Sequence, residues 1–462
     1  MIFVRSVGAV ALTLLVVGLA AERVSLPGAG SQRRGTSRPL HRQLWAAVGN
    51  RPGFALATVA LLISLLGYPF VDAVLRSAGI APGFEFWDFG AYTQALDRWR
   101  AGEPLDVENE NGGYDGGYLY PPLFLLAVWP FDQLSFDTGA RLWELCSVVF
   151  LWGTLQLVIR ELGHRLRLWE RGLLLWALAG FHPLLLSVKQ GQVSAFLAGL
   201  LTLSLYGILV TMRTGHRAMA ALSGACTGAV GVVKLVYAPV GAHLLTDRRR
   251  LLGAVGAGVT LVGISVAVFG VDSNLAYVDV LLWGKEDDVR SPLLWLPPYF
   301  RPLYGFGGLS IPIKAVGCVL VAGLAVVAPR EASREAFAMG VAAMPLLAPR
   351  AYTYYLTALV PAVVAMLAVE LEADGRPALP LVACLLLHTH AYGLKLVGWA
   401  VPQLVPGSET AMPILDATVV GFVVSLLQPG VLGAVLLGSL AAARVREAAT
   451  FPTISPGSGP GS

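Results

Sequence analysis

Apolar runs recur along the whole of this 462-residue chain, most of them about 20 residues long and so able to cross the hydrocarbon core of a bilayer. Inside that core the backbone finds no water, so only helices and closed β-barrels can span it. A barrel would alternate apolar and polar residues in short segments, and these runs do not alternate. The composition agrees: 56% of the residues are hydrophobic and 13% charged, against about 25% charged in a soluble domain. The expected fold is therefore all-α, a polytopic bundle of about 11–13 membrane elements by run length.

Basic residues concentrate in cytoplasmic loops, which orients the runs. Residues 2–21 resemble a signal peptide, with Arg5 ahead and "GLAAE" at the end. Cleavage there would leave Arg23, Arg33, Arg34, Arg38, Arg42 and Arg51 outside, so the run is read as a retained span. That divides the chain into an extra span and basic linker (1–52), a membrane domain (53–446) and a flexible tail (447–462). Residues 54–75 lead outward to an external loop, 77–118, with eight acidic residues against Arg98 and Arg100. A short piece at 119–131 reads as re-entrant. Runs at 142–159, 172–188 and 193–212 follow, with "KQGQ" (189–192) as an outer turn. The block 218–245 has basic loops at both ends, so it is a hairpin whose turn, near "VVKLVYAP", is deep in the membrane. Residues 251–269 exit to a second external loop, 272–307, and five further runs at 311–327, 337–347, 356–369, 381–401 and 414–443 complete the chain.

On this topology the polar residues gather in the external half. Ionisable groups at membrane depth are costly and mark function by default. Asp88 stands between Phe86, Trp87 and Phe89 at the start of an amphipathic helical pattern, so it reads both as an N-cap and as a general base tuned by its aromatic neighbours. Lys234 interrupts the hairpin, where it either snorkels or meets a phosphate. Arg350 is either a membrane-surface anchor or a phosphate or sugar contact. Gln190 and Gln192 either cap a turn or hydrogen-bond sugar hydroxyls. Tyr92, Tyr120, Tyr352 and Tyr355 are further candidate substrate contacts on the same side. Glu85, Asp97, Asp106, Glu108, Glu110 and Asp115 read as solvated loop charges, and the Gly-rich "ENENGGYDGGY" as a mobile cover. The second external loop mixes Trp283, Trp295, Tyr299, Phe300 and Tyr304 with Lys285, Arg290 and Arg301. It is either an interfacial belt or a lid in which Trp295 stacks on an acceptor sugar.

Some classes are disfavoured. A net charge of +4 without a clustered basic face gives no nucleic-acid footprint. Cys146, Cys226, Cys318 and Cys384 lie singly, without ligand spacing, and His182, His388 and His390 have no matching ligand set. No metal site or cofactor is expected, although a need for a divalent ion is left open.

"DFGAY" (88–92), "AGEPLDV" (101–107) and "YLYPPL" (118–123), followed by "QGQVSAFL" (190–197), "GAVGVVKLVYAP" (228–239) and "LAPRAYTYYLTALVPA" (347–362), resemble in their order glycosyltransferase family 87. Its members are multi-spanning enzymes of the GT-C type that use polyprenyl-phosphate sugars, typically mannose. The resemblance implies an inverting hexosyltransferase of the cell membrane with its site on the extracytoplasmic face. Asp88 would be the catalytic carboxylate and Lys234 a donor-phosphate contact, and the acceptor would be a glycan or glycolipid. The chain has Ser194 where the family often has Asn, and "APRAYTYY" where Ser-Pro followed by Trp or His is usual. The rival from another class is a transporter or flippase of a lipid-linked or polar solute. It would need polar residues spread through both halves of the membrane, whereas these gather in one.

Overall fold

The computed structural model describes residues 51–79, 81–108, 114–115, 118–283, 299–300, 302–348, 351–390 and 426–450. The expected span at 2–21, Arg350, Trp295, and the runs beyond His390 up to residue 425 lie outside them.

Among the described residues the chain is a bundle of helices with two minimal strand pairs. In order these are α1 (Pro52–Ser77), α2 (Trp87–Ala101), α3 (Leu125–Asp132), α4 (Phe136–Glu161), α5 (Leu168–Gly180), α6 (His182–Gln190), α7 (Ser194–Thr214) and α8 (Arg217–Val233). Then follow a long 3₁₀ helix (Leu235–Thr246), α9 (Arg248–Trp283), α10 (Ser310–Val327), α11 (Ser333–Leu347), a further 3₁₀ helix (Thr353–Leu359), α12 (Val360–Glu372), α13 (Ala378–His390) and α14 (Pro429–Thr450), with shorter 3₁₀ turns between some of them. Among the described residues six helical segments are long and apolar enough to cross a membrane, or seven with a bent pair. The protein is a multi-pass membrane protein.

The expected boundaries hold within a turn at α1, α7 and α10, and five differ. Helix α4 starts at Phe136, six residues before the expected 142. The run at 172–188 is not one span: α5 and α6 meet at 70°, because Pro183 cannot donate into the preceding turn. The hairpin is asymmetric, with an α-helical first arm and a 3₁₀ second arm containing Pro239. Helix α9 breaks from helical geometry at Gly270 (φ 81°) but continues to Trp283, well into the expected second loop. The last helix starts at Pro429 and runs on to Thr450, past the expected boundary at 446.

Burial is uneven. The most apolar windows of α7 and of residues 353–372 are 67% and 72% buried, those of α9 and α10 only 11% and 6%. The first pair forms the protein core and the second faces lipid. Helices α8 and α9 still touch backbone to backbone: a Cβ on Gly224 would lie 1.8 Å from the Arg250 carbonyl oxygen and one on Gly228 2.5 Å from that of Ala254. This is the four-residue small-residue spacing that lets membrane helices approach closely.

Inside the bundle, Ser204 Oγ bonds Ser223 and Thr227 at 3.0 and 2.9 Å and meets His243 Nε2 at 3.3 Å, while His243 Nδ1 bonds the Val240 carbonyl at 3.0 Å. These buried bonds fasten both arms of the hairpin to α7 and so fix its tip, where Lys234 sits.

Candidate active site

The site is assembled on the turn after α6. Gly191 adopts φ 72°, the left-handed C-cap conformation favoured by glycine, and Ser187 Oγ donates to the Gln192 carbonyl at 3.2 Å. One of the helix's last free carbonyls, that of Lys189, accepts the backbone N–H groups of Glu85 and Phe86 at 3.0 and 2.9 Å. A buried ion pair braces the same turn: Lys189 Nζ reaches Asp72 Oδ1 on α1 at 2.5 Å, and Arg76 Nε reaches Asp72 Oδ2 at 2.9 Å.

The entry to α2 is thereby clamped. Phe86 is its N-cap residue, with φ 50° and ψ 37°, a conformation rare for a bulky side chain. Asp88 is thus not the N-cap; it lies one turn position inside the helix, and no side chain caps the helix start. From the second position of the helix Asp88 comes within reach of the Lys234 and Gln192 side chains. Burial pushes the Asp88 carboxyl up to about 6, against the opposing pull of the Lys234 cation and the Gln192 side chain.

Gln192 is the hub. Its Oε1 accepts from Tyr120 Oη at 3.0 Å and from Lys234 Nζ at 3.1 Å, leaving the amide nitrogen free to donate toward Asp88. The Lys234 ammonium lies over three rings, Tyr355 at 4.4 Å, Tyr120 at 4.8 Å and Tyr354 at 5.6 Å from their centroids, all within cation–π range. Tyr92 is fully buried and edge-on to Tyr120 (5.2 Å) and Phe124 (4.9 Å). Tyr352 stacks on Tyr354 at 5.1 Å and meets Tyr355 at 5.6 Å.

Of the residues singled out in the sequence, Asp88, Tyr92, Tyr120, Gln192, Lys234, Tyr352 and Tyr355 come together. Gln190 does not join them: it is half-buried at the last position of α6, with no side-chain hydrogen bond among the described residues. Snorkelling does not describe Lys234, which is buried with its ammonium held inside the cage. Arg350 and Trp295 lie outside the described residues. Tyr299–Phe300 pairs antiparallel with Ala351–Tyr352, which joins the second loop to the tyrosine cluster.

In the first loop Val107–Glu108 pairs antiparallel with Tyr114–Asp115, while the glycines of "ENENGGYDGGY" lie outside the described residues. Asp106 is half-buried, and burial raises its carboxyl to about 6, opposed by Arg98. His388 Nδ1 accepts the His182 backbone N–H at 3.1 Å, and His390 Nδ1 accepts that of Gly430 at 3.2 Å, so two of the three histidines serve the backbone. Sequence reasoning missed Asp72, Tyr354 and Glu144. Asp72 and Glu144 sit within apolar runs, where a lone acid was the available signal.

Chemically, the arrangement offers a carboxylate able to take a proton near neutrality and a buried cation beside it. The aromatic walls suit a sugar ring.

The model of "Glycosyltransferase family 87" matches residues 118–349, half of the chain. The match takes in Tyr120, Gln192 and Lys234; Asp88 precedes it. The polyprenol-phosphate-mannose-dependent alpha-(1-2)-phosphatidylinositol pentamannoside mannosyltransferase of Mycolicibacterium smegmatis is 27% identical over 242 residues, 51% of this chain and 54% of that protein. The protein of the same description from Mycobacterium tuberculosis is 26% identical over 168 residues, 36% of this chain and 37% of that protein. The chain thus matches about half the length of these relatives or less. The crystal structure of ArnT from Cupriavidus metallidurans bound to undecaprenyl phosphate aligns over 87% of this chain and 79% of that one. Its identity is 16% and its TM-score 0.39, a likeness too low to support an inference about the site. On the family match the chain is a member of glycosyltransferase family 87.

Proposed function

We propose that this protein transfers a hexose, mannose in the first instance, from a polyprenyl-phosphate sugar to a glycan or glycolipid acceptor. The site would open to the extracytoplasmic face of the cell membrane. The observation that carries the reading is the grouping of Asp88, Gln192 and Lys234 within a tyrosine cage. The named relatives use polyprenol-phosphate-mannose, which supports the donor class.

In the step, an acceptor hydroxyl gives its proton to Asp88 while its oxygen forms a bond to the anomeric carbon. The bond from that carbon to the phosphate oxygen breaks, and polyprenyl phosphate leaves with the electron pair. Lys234 stabilises the negative charge as it develops. Gln192 holds Lys234 and Asp88 apart, so the cation cannot simply collapse onto the base. With one carboxylate acting as base and no covalent intermediate, the displacement is single and inverts the anomeric centre.

The test is transfer of radiolabelled mannose from polyprenyl-phosphate mannose by the purified chain in nanodiscs, with Asp88→Asn alongside. A glycosylated product from the wild type and its loss in the variant are expected. Solute uptake into proteoliposomes without any covalent product would instead establish the transporter reading.

A further inference from the structure

Close to Asp88, α4 carries a group of polar side chains that the transfer step does not use. Trp143, Glu144 and Ser147 lie on its buried face, at 3%, 2% and 1% exposure. Both Glu144 carboxyl oxygens, Ser147 Oγ and Trp143 Nε1 have no hydrogen-bond partner among the described residues. Ser194 Oγ at the start of α7 and Tyr237 Oη on the hairpin lie close enough to pair with one another, as do Tyr92 Oη on α2 and Tyr120 Oη.

These groups are neighbours. Tyr92 packs on Phe124 at 4.9 Å, Phe124 on Trp143 at 5.9 Å, and Trp143 on Phe196, two residues past Ser194, at 5.8 Å. Glu144 lies within electrostatic reach of Asp88, and the Tyr237 hydroxyl faces Ser194. Buried polar groups are nearly always paired in native proteins, so a cluster of orphans beside a reaction site is a place where a ligand completes the pairing. The chemistry of the set selects the ligand. A lipid tail would leave every group unpaired, and a phosphate dianion, which only accepts, could not donate to the Glu144 carboxyl oxygens. Hydroxyls that both donate and accept satisfy carboxyl, hydroxyl and indole groups together.

We propose that Glu144, flanked by Ser147 and Ser194, is a hydroxyl-reading subsite that holds the ring of a hexose beside Asp88. The inference rests on the transferase reading above and deepens it: Asp88 takes the proton, and Glu144 selects the sugar. The enclosure of Glu144 within the bundle suits the single hexosyl group of the donor better than the bulkier acceptor. The carboxyl oxygens accept from ring hydroxyls, and the indole and phenol groups donate to them.

The test uses the full chain in nanodiscs with polyprenyl-phosphate mannose and its singly deoxygenated analogues as donors. A second arm uses an alkyl mannoside acceptor and its deoxygenated analogues. The wild type should prefer one fully hydroxylated substrate over at least one deoxy analogue by on the order of 10-fold, the effect of leaving a buried polar group unpaired. In Glu144→Gln that preference should collapse toward unity and KM for the same substrate should rise, with kcat for the deoxy analogue little changed. Collapse in the donor arm assigns the subsite to the transferred sugar, and collapse in the acceptor arm assigns it to the acceptor; either supports the subsite. Ser194→Ala, which removes a single oxygen, gives the same readout if Glu144→Gln does not fold. Undiminished preference in a folded variant overturns the proposal and leaves the transferase reading standing. Absence of product from the wild type with polyprenyl-phosphate mannose overturns both.

Discussion

Lys234 Nζ donates to Gln192 Oε1 at 3.1 Å, and this bond sets the working geometry of the site by leaving the amide nitrogen toward Asp88. Because burial raises the Asp88 carboxyl to about 6, the base is proton-free above that pH and occupied below it. The acidic limb of kcat/KM should therefore rise through about pH 6 rather than near 4. A positioned base contributes on the order of 10²–10⁴-fold in rate. Asp88→Asn should lose that factor at pH 7.5 and lack the limb altogether, as read from initial rates across pH 4.5–8.

Lys234 lowers the Asp88 carboxyl, so its removal acts in the opposite direction. In Lys234→Met the acidic limb should move above pH 6. Turnover at the plateau should fall by on the order of 10²-fold because the leaving phosphate loses its countercharge. An unmoved limb would show that the ammonium does not reach the base.

Gly191→Ala should damage both fold and site. The position has φ 72°, and an added Cβ would lie 2.7 Å from Phe89 Cβ and 3.1 Å from Phe89 N. We expect a loss of about 2 kcal/mol or more from strain and clash together. Because the clash falls on the helix that carries Asp88, kcat should fall more than the melting temperature alone explains. Thermal melts and kinetics on the same preparation separate the two.

The Asp72–Lys189 pair should behave as a buried ion pair. Removing one partner, as in Asp72→Asn or Lys189→Met, should cost about 3–5 kcal/mol, while replacing both with apolar residues restores most of the stability. The Glu85 and Phe86 amides bind the Lys189 backbone carbonyl rather than its side chain, so the double variant should keep measurable transfer. A double-mutant cycle on melting temperature and rate tests this.

The bundle was legible because spans are written in the sequence as runs of apolar residues, and hydrocarbon leaves the backbone few alternatives. Lys234 was legible for the same reason, as a charge placed against a strong apolar background, whereas Asp88 stood out among the loop acids by its aromatic neighbours. The roles of the glutamines were not. Gln190 and Gln192 differ by two residues, yet only Gln192 turns inward, because the left-handed Gly191 between them reverses the chain. Tyr354 was missed beside Tyr352 and Tyr355 because the local 3₁₀ winding at 353–359 decides which rings reach Lys234. The α5–α6 bend was written in Pro183 but masked by the continuous apolarity of the run.

Helices α9 and α10 are 11% and 6% buried by protein over their apolar windows, so acyl chains supply most of their packing. A bilayer thinner or thicker than these helices prefer costs fractions of a kcal/mol per ångström and is met by tilting. Tilting α9 pulls on α8 through the contacts at Gly224 and Gly228, and α8 ends at Lys234. Membrane thickness is thereby coupled mechanically to the cation of the site, and the rate of transfer should vary with the acyl-chain length of the surrounding lipid.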